Sequence, residues 1–121
     1  MIVHLYEEHG RDCVTRLNGM FALAIWDDRN KTLMLSRDRV GIKPLYYTKN
    51  GGNLSFASEI KALLTDRRIP RKVNLAAMDA GLSHLFGAGP ETLLDGIFKL
   101  LPGHTLVVSD GKVREFEYWD L

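Results

Sequence analysis

Hydrophobic positions recur along this chain with two distinct periods. Phe21, Leu23 and Ile25 alternate with Ala22, Ala24 and Trp26, a period of two that sends successive side chains to opposite faces of a strand. The pattern predicts a strand over Met20–Asp27. Both of its faces are apolar, so the expectation is a strand covered on both sides, as in a layered sandwich, with the alanines allowing close approach of the opposing layer. A turn through Asp28-Arg29-Asn30 leads to a second strand, Thr32–Arg37. Leu45–Thr48 and Leu54–Ala57 read as another hairpin around Asn50-Gly51-Gly52, with Asn-Gly as the two-residue turn because both positions tolerate positive φ. A third hairpin pairs His104–Ser109 with Lys112–Tyr118 through Asp110-Gly111.

The helical period appears in three other segments. Ile2, Leu5, Tyr6, Cys13, Val14 and Leu17 predict a helix over Met1–Leu17, interrupted at Gly10. No Ser, Thr, Asp or Asn caps its start, which fits either a frayed end or a segment upstream. Ser58 is the expected cap of a helix over Glu59–Leu64, with Ile60, Leu63 and Leu64 as its stripe. Asn74 is the expected cap of Leu75–Phe86, with Val73 and Met78 at the spacing of a hydrophobic staple. Leu75, Met78, Leu82 and Leu85 mark the side expected to be buried, and Gly87-Ala88-Gly89-Pro90 ends the helix. Helices and mainly antiparallel strands together predict an α+β fold.

Composition narrows the function classes. The chain has 121 residues, of which 45% are hydrophobic and 26% charged, the balance of one globular domain. Sixteen Lys and Arg against fifteen Asp and Glu give a net charge of +1, without the basic excess of a nucleic-acid binder. No run approaches the ~20 apolar residues of a membrane span. Met1–Glu8 has no basic segment followed by an apolar run, so a secretory leader is not predicted, and a cytoplasmic location is expected. The lone Cys13 rules out an internal disulfide and an all-cysteine zinc site.

Few residues suggest a self-contained active site. His4 and His9 do not share a helix face as an i, i+4 metal pair would, and His84 and His104 stand apart from them. Cys13 falls in an apolar stripe and reads as core. No serine sits in a Gly-x-Ser-x-Gly elbow. Gly87-x-Gly89 follows a helix rather than a strand, so it reads as a turn and not as a phosphate cradle. The basic run from Asp66 to Lys72 reads as a solvated loop. Asp27, Asp28, Asp38 and Glu59 are candidate general acids only where burial raises their pKa values.

The same segments carry a more specific pattern. Leu17-Asn18-Gly19-Met20-Phe21-Ala22-Leu23-Ala24-Ile25-Trp26-Asp27 is followed by Ser36-Arg37-Asp38-Arg39-Val40-Gly41-Ile42-Lys43-Pro44-Leu45-Tyr46-Tyr47. Phe56-Ala57-Ser58-Glu59-Ile60-Lys61-Ala62-Leu63 and Leu101-Pro102-Gly103-His104 complete it. In this order and spacing the chain resembles the glutaminase domain of glutamine-hydrolysing asparagine synthetases. Those domains are class II glutamine amidotransferases, a branch of the N-terminal-nucleophile hydrolases. The likeness runs to Tyr118-Trp119-Asp120-Leu121. β-Lactam synthetases and amidophosphoribosyltransferases, which share the ammonia-generating domain, are the alternative. A non-catalytic standalone assembly module is another.

The resemblance implies a partial αββα sandwich, with residues 1–121 as the C-terminal portion of a glutaminase domain. It implies a nucleophilic cysteine at a mature N-terminus, with its own α-amine as base; internal Cys13 does not qualify, so no catalytic residue and no cofactor site is expected here. The nucleophile-bearing part and the synthetase domain, with its ATP and Mg²⁺, are expected in other parts of the parent polypeptide. This chain alone is expected to be inactive, and its exposed faces are expected to drive homo-oligomerisation. The family's ammonia passage maps onto Met20 and Ile42, with ordinary core packing as the alternative for both. Lys43 stands where an apolar residue is sometimes found. Gly41 and Pro44 are expected to fix the bend between two strands.

Overall fold

The computed structural model describes residues 1–84 and 89–120. The chain divides into two compact units, one formed by Met1–Lys43 with the segment from Pro102 onward, the other by Pro44–Leu101. Helices are combined with sheets in which every strand pairing is antiparallel, an α+β arrangement.

In the first unit, helix α1 (Ile2–His9) leads into a 3₁₀ helix (Gly10–Arg16). The continuous helix expected over Met1–Leu17 therefore breaks at Gly10, whose φ of +61° lies outside the helical region. Strands β1 (Ala22–Asp27), β2 (Thr32–Arg37), β6 (His104–Ser109) and β7 (Lys112–Glu117) form one sheet in the order β1-β2-β6-β7. The β6–β7 turn is Asp110-Gly111, both at positive φ (52° and 72°), as a two-residue primed turn requires. One face of the sheet carries the core: Cys13, Val14 and Met34 are fully buried, with Leu5, Tyr6, Leu23, Ile25 and Val107 packed against them. On the opposite face Leu35 and Leu106 are buried, whereas Trp26 in β1 is 57% exposed and Ala22 and Ala24 are open as well. β1 is thus covered on one side, not on both. An apolar pattern identifies a face able to be buried, and says nothing of whether a layer lies over it.

In the second unit β3 (Tyr46–Asn50) sits between β4 (Asn53–Ala57) and β5 (Ile97–Lys99). Asn50 pairs with Asn53, so the two-residue turn is Gly51-Gly52 (φ 57° and 83°), one position later than the Asn-Gly expected. The short helix α2 spans Ile60–Leu63. Glu59, not Ser58, occupies its N-cap position, and no side chain makes a capping bond there. Leu63, Ile69 and Ile97 form the core, with Tyr46, Ala57, Ile60 and Leu64 against it. Helix α3 (Leu75–His84) opens as expected, with Asn74 Oδ1 accepting the Ala77 amide at 3.0 Å. Its apolar stripe is a correction: Leu75 and Leu82 are 69% and 79% exposed, and Val73 and Met78 are open too. Leu85, Phe86, Gly87 and Ala88 lie outside the described residues.

Candidate functional site

The first unit ties four separated segments together around one residue, Asp38. Asp38 follows the last residue of β2 and is fully buried. Its carboxylate accepts backbone N–H bonds from Ile42 (2.9 Å) and Val40 (3.2 Å) on Oδ1, and from Lys43 (3.0 Å) and Phe21 (3.3 Å) on Oδ2. Its own backbone continues the junction: Asp38 N–H donates to Phe21 O at 2.9 Å, and Asp38 O accepts from Gly41 and Gly103 at 3.2 and 2.9 Å. Gly103 O in turn accepts from Tyr118 N–H at 2.8 Å, and the Tyr118 hydroxyl donates to Arg37 O at 2.6 Å. The Gly-Met-Phe and Arg-Asp-x-x-Gly-Ile blocks thus meet at the Asp38 carboxylate, the Pro-Gly-His block joins through the Asp38 backbone carbonyl, and the Tyr-Trp block through Gly103 and Arg37.

Burial by itself would raise the Asp38 pKa, since a charge loses hydration. The amides of Lys43, Ile42, Phe21 and Gly41 outweigh that effect and hold it below the ordinary carboxylate range. Asp38 is therefore an ionised structural anion, the opposite of what a general acid needs. Asp27 is also held low, chiefly by the backbone and side-chain amides of Asn30, while its Oδ2 also accepts the Tyr6 hydroxyl at 3.1 Å. Asp28 pairs with Lys31 at 2.7 Å and Glu59 with Lys61 at 3.2 Å. No two of these four candidate carboxylates share a hydrogen-bonded site among the described residues.

Gly41 is fixed by two independent constraints. Its φ is +72°, and a Cβ built there would lie 2.6 Å from Pro102 Cγ and 3.2 Å from the Arg37 guanidinium. That guanidinium donates to Gly41 O and Lys43 O, both at 2.8 Å, closing the loop over the glycine.

Met20 and Ile42, singled out by the resemblance, flank this junction in sequence: Met20 precedes Phe21, and the Ile42 amide is itself a donor to Asp38. Neither is core. Met20 is 63% and Ile42 54% exposed. Cys13 is where its pattern put it, fully buried, and burial pushes its thiol pKa up, with Asp12 adding to the effect. The three histidines whose side chains are described do not converge: His4 and His9 lie beside Glu7 and Glu8, and His104 Nδ1 bonds Pro102 O. Among the described residues no group of three or more His, Cys, Asp or Glu is disposed to hold a metal ion, and no helix is long and apolar enough to cross a membrane. The Asp66–Lys72 segment is a loop in which Asp66 and Arg68 pair at 2.9 Å.

With this geometry in hand, the chain matches the model of the glutamine amidotransferase domain over residues 1–119. It belongs to that family. Over its whole length it is 39% identical to asparagine synthetase [glutamine-hydrolyzing] 3 of Bacillus subtilis, covering 20% of that protein. It is 34% identical to the putative asparagine synthetase [glutamine-hydrolyzing] 2 of Methanocaldococcus jannaschii, again over the whole chain and 24% of the relative. Amidase chry2 of Gibberella zeae matches at 33% over the full chain and 18% of its own length. The chain thus spans about a fifth of the length of these curated relatives. Three of the four sequence blocks of the resemblance contribute to the Asp38 junction, and the fourth, residues 56–63, lies in the second unit. Sequence reasoning grouped Asp38 with candidate acids and missed its role; the run of backbone donors in a short Gly-containing loop after it was the available signal.

Proposed function

We propose that the protein carrying this chain is a glutamine-hydrolysing asparagine synthetase. It hydrolyses glutamine to glutamate and ammonia, and passes the ammonia to a β-aspartyl adenylate formed from aspartate and ATP. The observation that carries this reading is the full-length match to asparagine synthetases from a bacterium and an archaeon. A second reading, an amidase acting through the same domain, has the full-length likeness to amidase chry2 in its favour. The synthetase reading is preferred on its higher identity.

Within that reaction we assign the chain a scaffold role, as the C-terminal portion of an αββα glutaminase sandwich. The attacking thiolate of this class needs a free α-amine beside it as base. Cys13 is buried and carries a peptide nitrogen, so it is not that residue. The nucleophile, the glutamine-binding groups, and the ATP and Mg²⁺ that activate aspartate then belong to partner segments outside these 121 residues, in a cytoplasmic enzyme. Met20 and Ile42 line the ammonia route. In support, both are apolar and open, and the Ile42 amide and the amide of Phe21, next to Met20, bond the same anion. Keeping ammonia away from water leaves it unprotonated and nucleophilic, which a lining of this kind favours.

The test is kinetic. In the full-length enzyme, Met20→Trp is expected to leave glutamate release intact while asparagine formed per glutamine falls several-fold, with ammonia-dependent synthesis unchanged. Unchanged coupling removes Met20 from the route. Glutamine hydrolysis without any aspartate-dependent AMP formation in the unmodified enzyme favours the amidase. The isolated chain is expected to release no glutamate; release abolished by Cys13→Ala would overturn the scaffold role.

A further inference from the structure

Away from the Asp38 junction, β7 sorts its charges by sign. Its sequence is Lys-Val-Arg-Glu-Phe-Glu, so alternation sends Lys112, Arg114 and Phe116 to one face and Glu115 and Glu117 to the other. The pairing with β6 sets Lys112 opposite Ser109, Arg114 opposite Val107 and Phe116 opposite Thr105. The 3₁₀ helix brings a third cation to the same face: the Arg11 guanidinium carbon lies 3.7 Å from the centroid of the Phe116 ring. Arg11, Lys112 and Arg114 line one recess of about 300 Å³, together with Ser109 and Phe116. Asp110 is the one carboxylate lining it among the described residues.

These cations are poorly compensated. Among the described residues the side chains of Lys112 and Arg114 have no ion-pair or hydrogen-bond partner. Arg11 meets Asp12 at 3.9 Å, the outer limit of an ion pair, and that carboxylate is exposed to water. Charges on an edge strand discourage pairing with other chains, but that purpose is met by either sign on either face. It does not call for three like charges in one recess, where they repel until an anion enters. Stacking on Phe116 also holds Arg11 in place, reducing the freedom it would lose on binding.

We propose that this recess is a binding site for a small phosphate-bearing molecule. Arg11 and Arg114 supply planar forks that match phosphate oxygens, Lys112 a point charge and Ser109 a hydroxyl. Three cations call for more negative charge than a single carboxylate brings, which favours a multiply charged phosphate. The recess has the volume of a small-ligand pocket. This assignment stands apart from the glutaminase reading and uses none of its residues.

The probe is inorganic pyrophosphate, titrated into the chain at constant ionic strength and followed by calorimetry and amide chemical shifts. Saturable binding is expected, with shifts centred on Ser109, Lys112, Arg114 and Arg11. Lys112→Gln and Arg114→Gln are exposed changes that preserve the fold; each is expected to weaken binding about tenfold, the loss of one charge-assisted contact. Succinate, a dicarboxylate, is expected to bind at least about tenfold more weakly, since it fits the guanidinium forks with fewer oxygens. Absence of saturation up to ~10 mM pyrophosphate, where even a millimolar site would be mostly filled, overturns the proposal. Unchanged affinity in the double variant, or equal affinity for succinate, overturns it as well.

Discussion

A carboxylate with no exposure stays ionised only where donors replace its lost water, and Asp38 has four backbone amides on its two oxygens. Asp38→Asn keeps the shape but removes the charge, and turns one acceptor atom into a donor facing amides. Leaving buried amides without a partner costs roughly 1–3 kcal/mol per site, so an overall loss of about 2–4 kcal/mol in urea unfolding is expected. The pH dependence has a definite sign. The folded pKa lies below the unfolded one, so the contribution of Asp38 is complete above the ordinary carboxylate range and is lost as pH falls through the folded value. The wild-type and Asp38→Asn stabilities are therefore expected to converge toward acid pH; parallel curves from pH 7 to pH 3 would exclude this role. Gly41 offers a second check, by contrast with Gly51. Both have positive φ, but an alanine methyl at Gly51 meets nothing within 4 Å, whereas at Gly41 it meets Pro102 and Arg37. Gly51→Ala is expected to cost about 1–2 kcal/mol from backbone strain alone. Gly41→Ala is expected to cost at least ~2 kcal/mol more, because overpacking adds to the strain. Equal costs would mean that the loop moves aside freely.

At the scale of elements, local chemistry was legible and coverage was not. The strand Thr32–Arg37, the Asp110-Gly111 turn and the Asn74 cap all depend on neighbours within a few positions, and each is where the residues put it. The stripe on α3 and the outer face of β1 depend on what lies across from them, which periodicity does not encode. The α2 boundary failed for a related reason: Glu59 is extended (φ −138°), so the helix starts one residue late and Ser58 stands too far back to cap it. Asp38 was legible as a motif residue but not as an anchor, because its donors come from backbone, which has no letter of its own. The contrast on α3 can be measured. Asn74→Ala removes a formed cap and is expected to cost about 1 kcal/mol. Leu82→Lys, on an open face, is expected to change stability by no more than ~0.5 kcal/mol. A loss of ~2 kcal/mol or more on Leu82→Lys would show that the α3 stripe is covered in solution.

At the scale of the whole molecule, both units leave apolar surface open. Met20, Trp26, Val40 and Ile42 are exposed in the first unit and Leu75 and Leu82 in the second. Open apolar surface of this kind favours association. The two edges of the larger sheet are not equivalent in this respect. β7 carries Lys112, Arg114, Glu115 and Glu117, charges of the kind that blunt an edge, whereas β1 reads Ala-Leu-Ala-Ile-Trp-Asp and has neither lysine nor proline. Self-association is therefore expected to run through β1. The isolated chain should show dimers or larger species by light scattering at micromolar concentration. Ala24→Lys puts a charge in the middle of β1 on its open face, and is expected to shift the chain to monomer without altering its urea midpoint appreciably. The same change on the covered face, Ile25→Lys, should lower the urea midpoint strongly, because Ile25 packs against the Cys13–Val14–Met34 core and that apolar contact is lost. A clean monomer in the unmodified chain would mean that these faces stay wetted. Oligomers that persist in Ala24→Lys would move the contact to the Leu75–Leu82 face, where Leu82→Lys becomes the deciding variant.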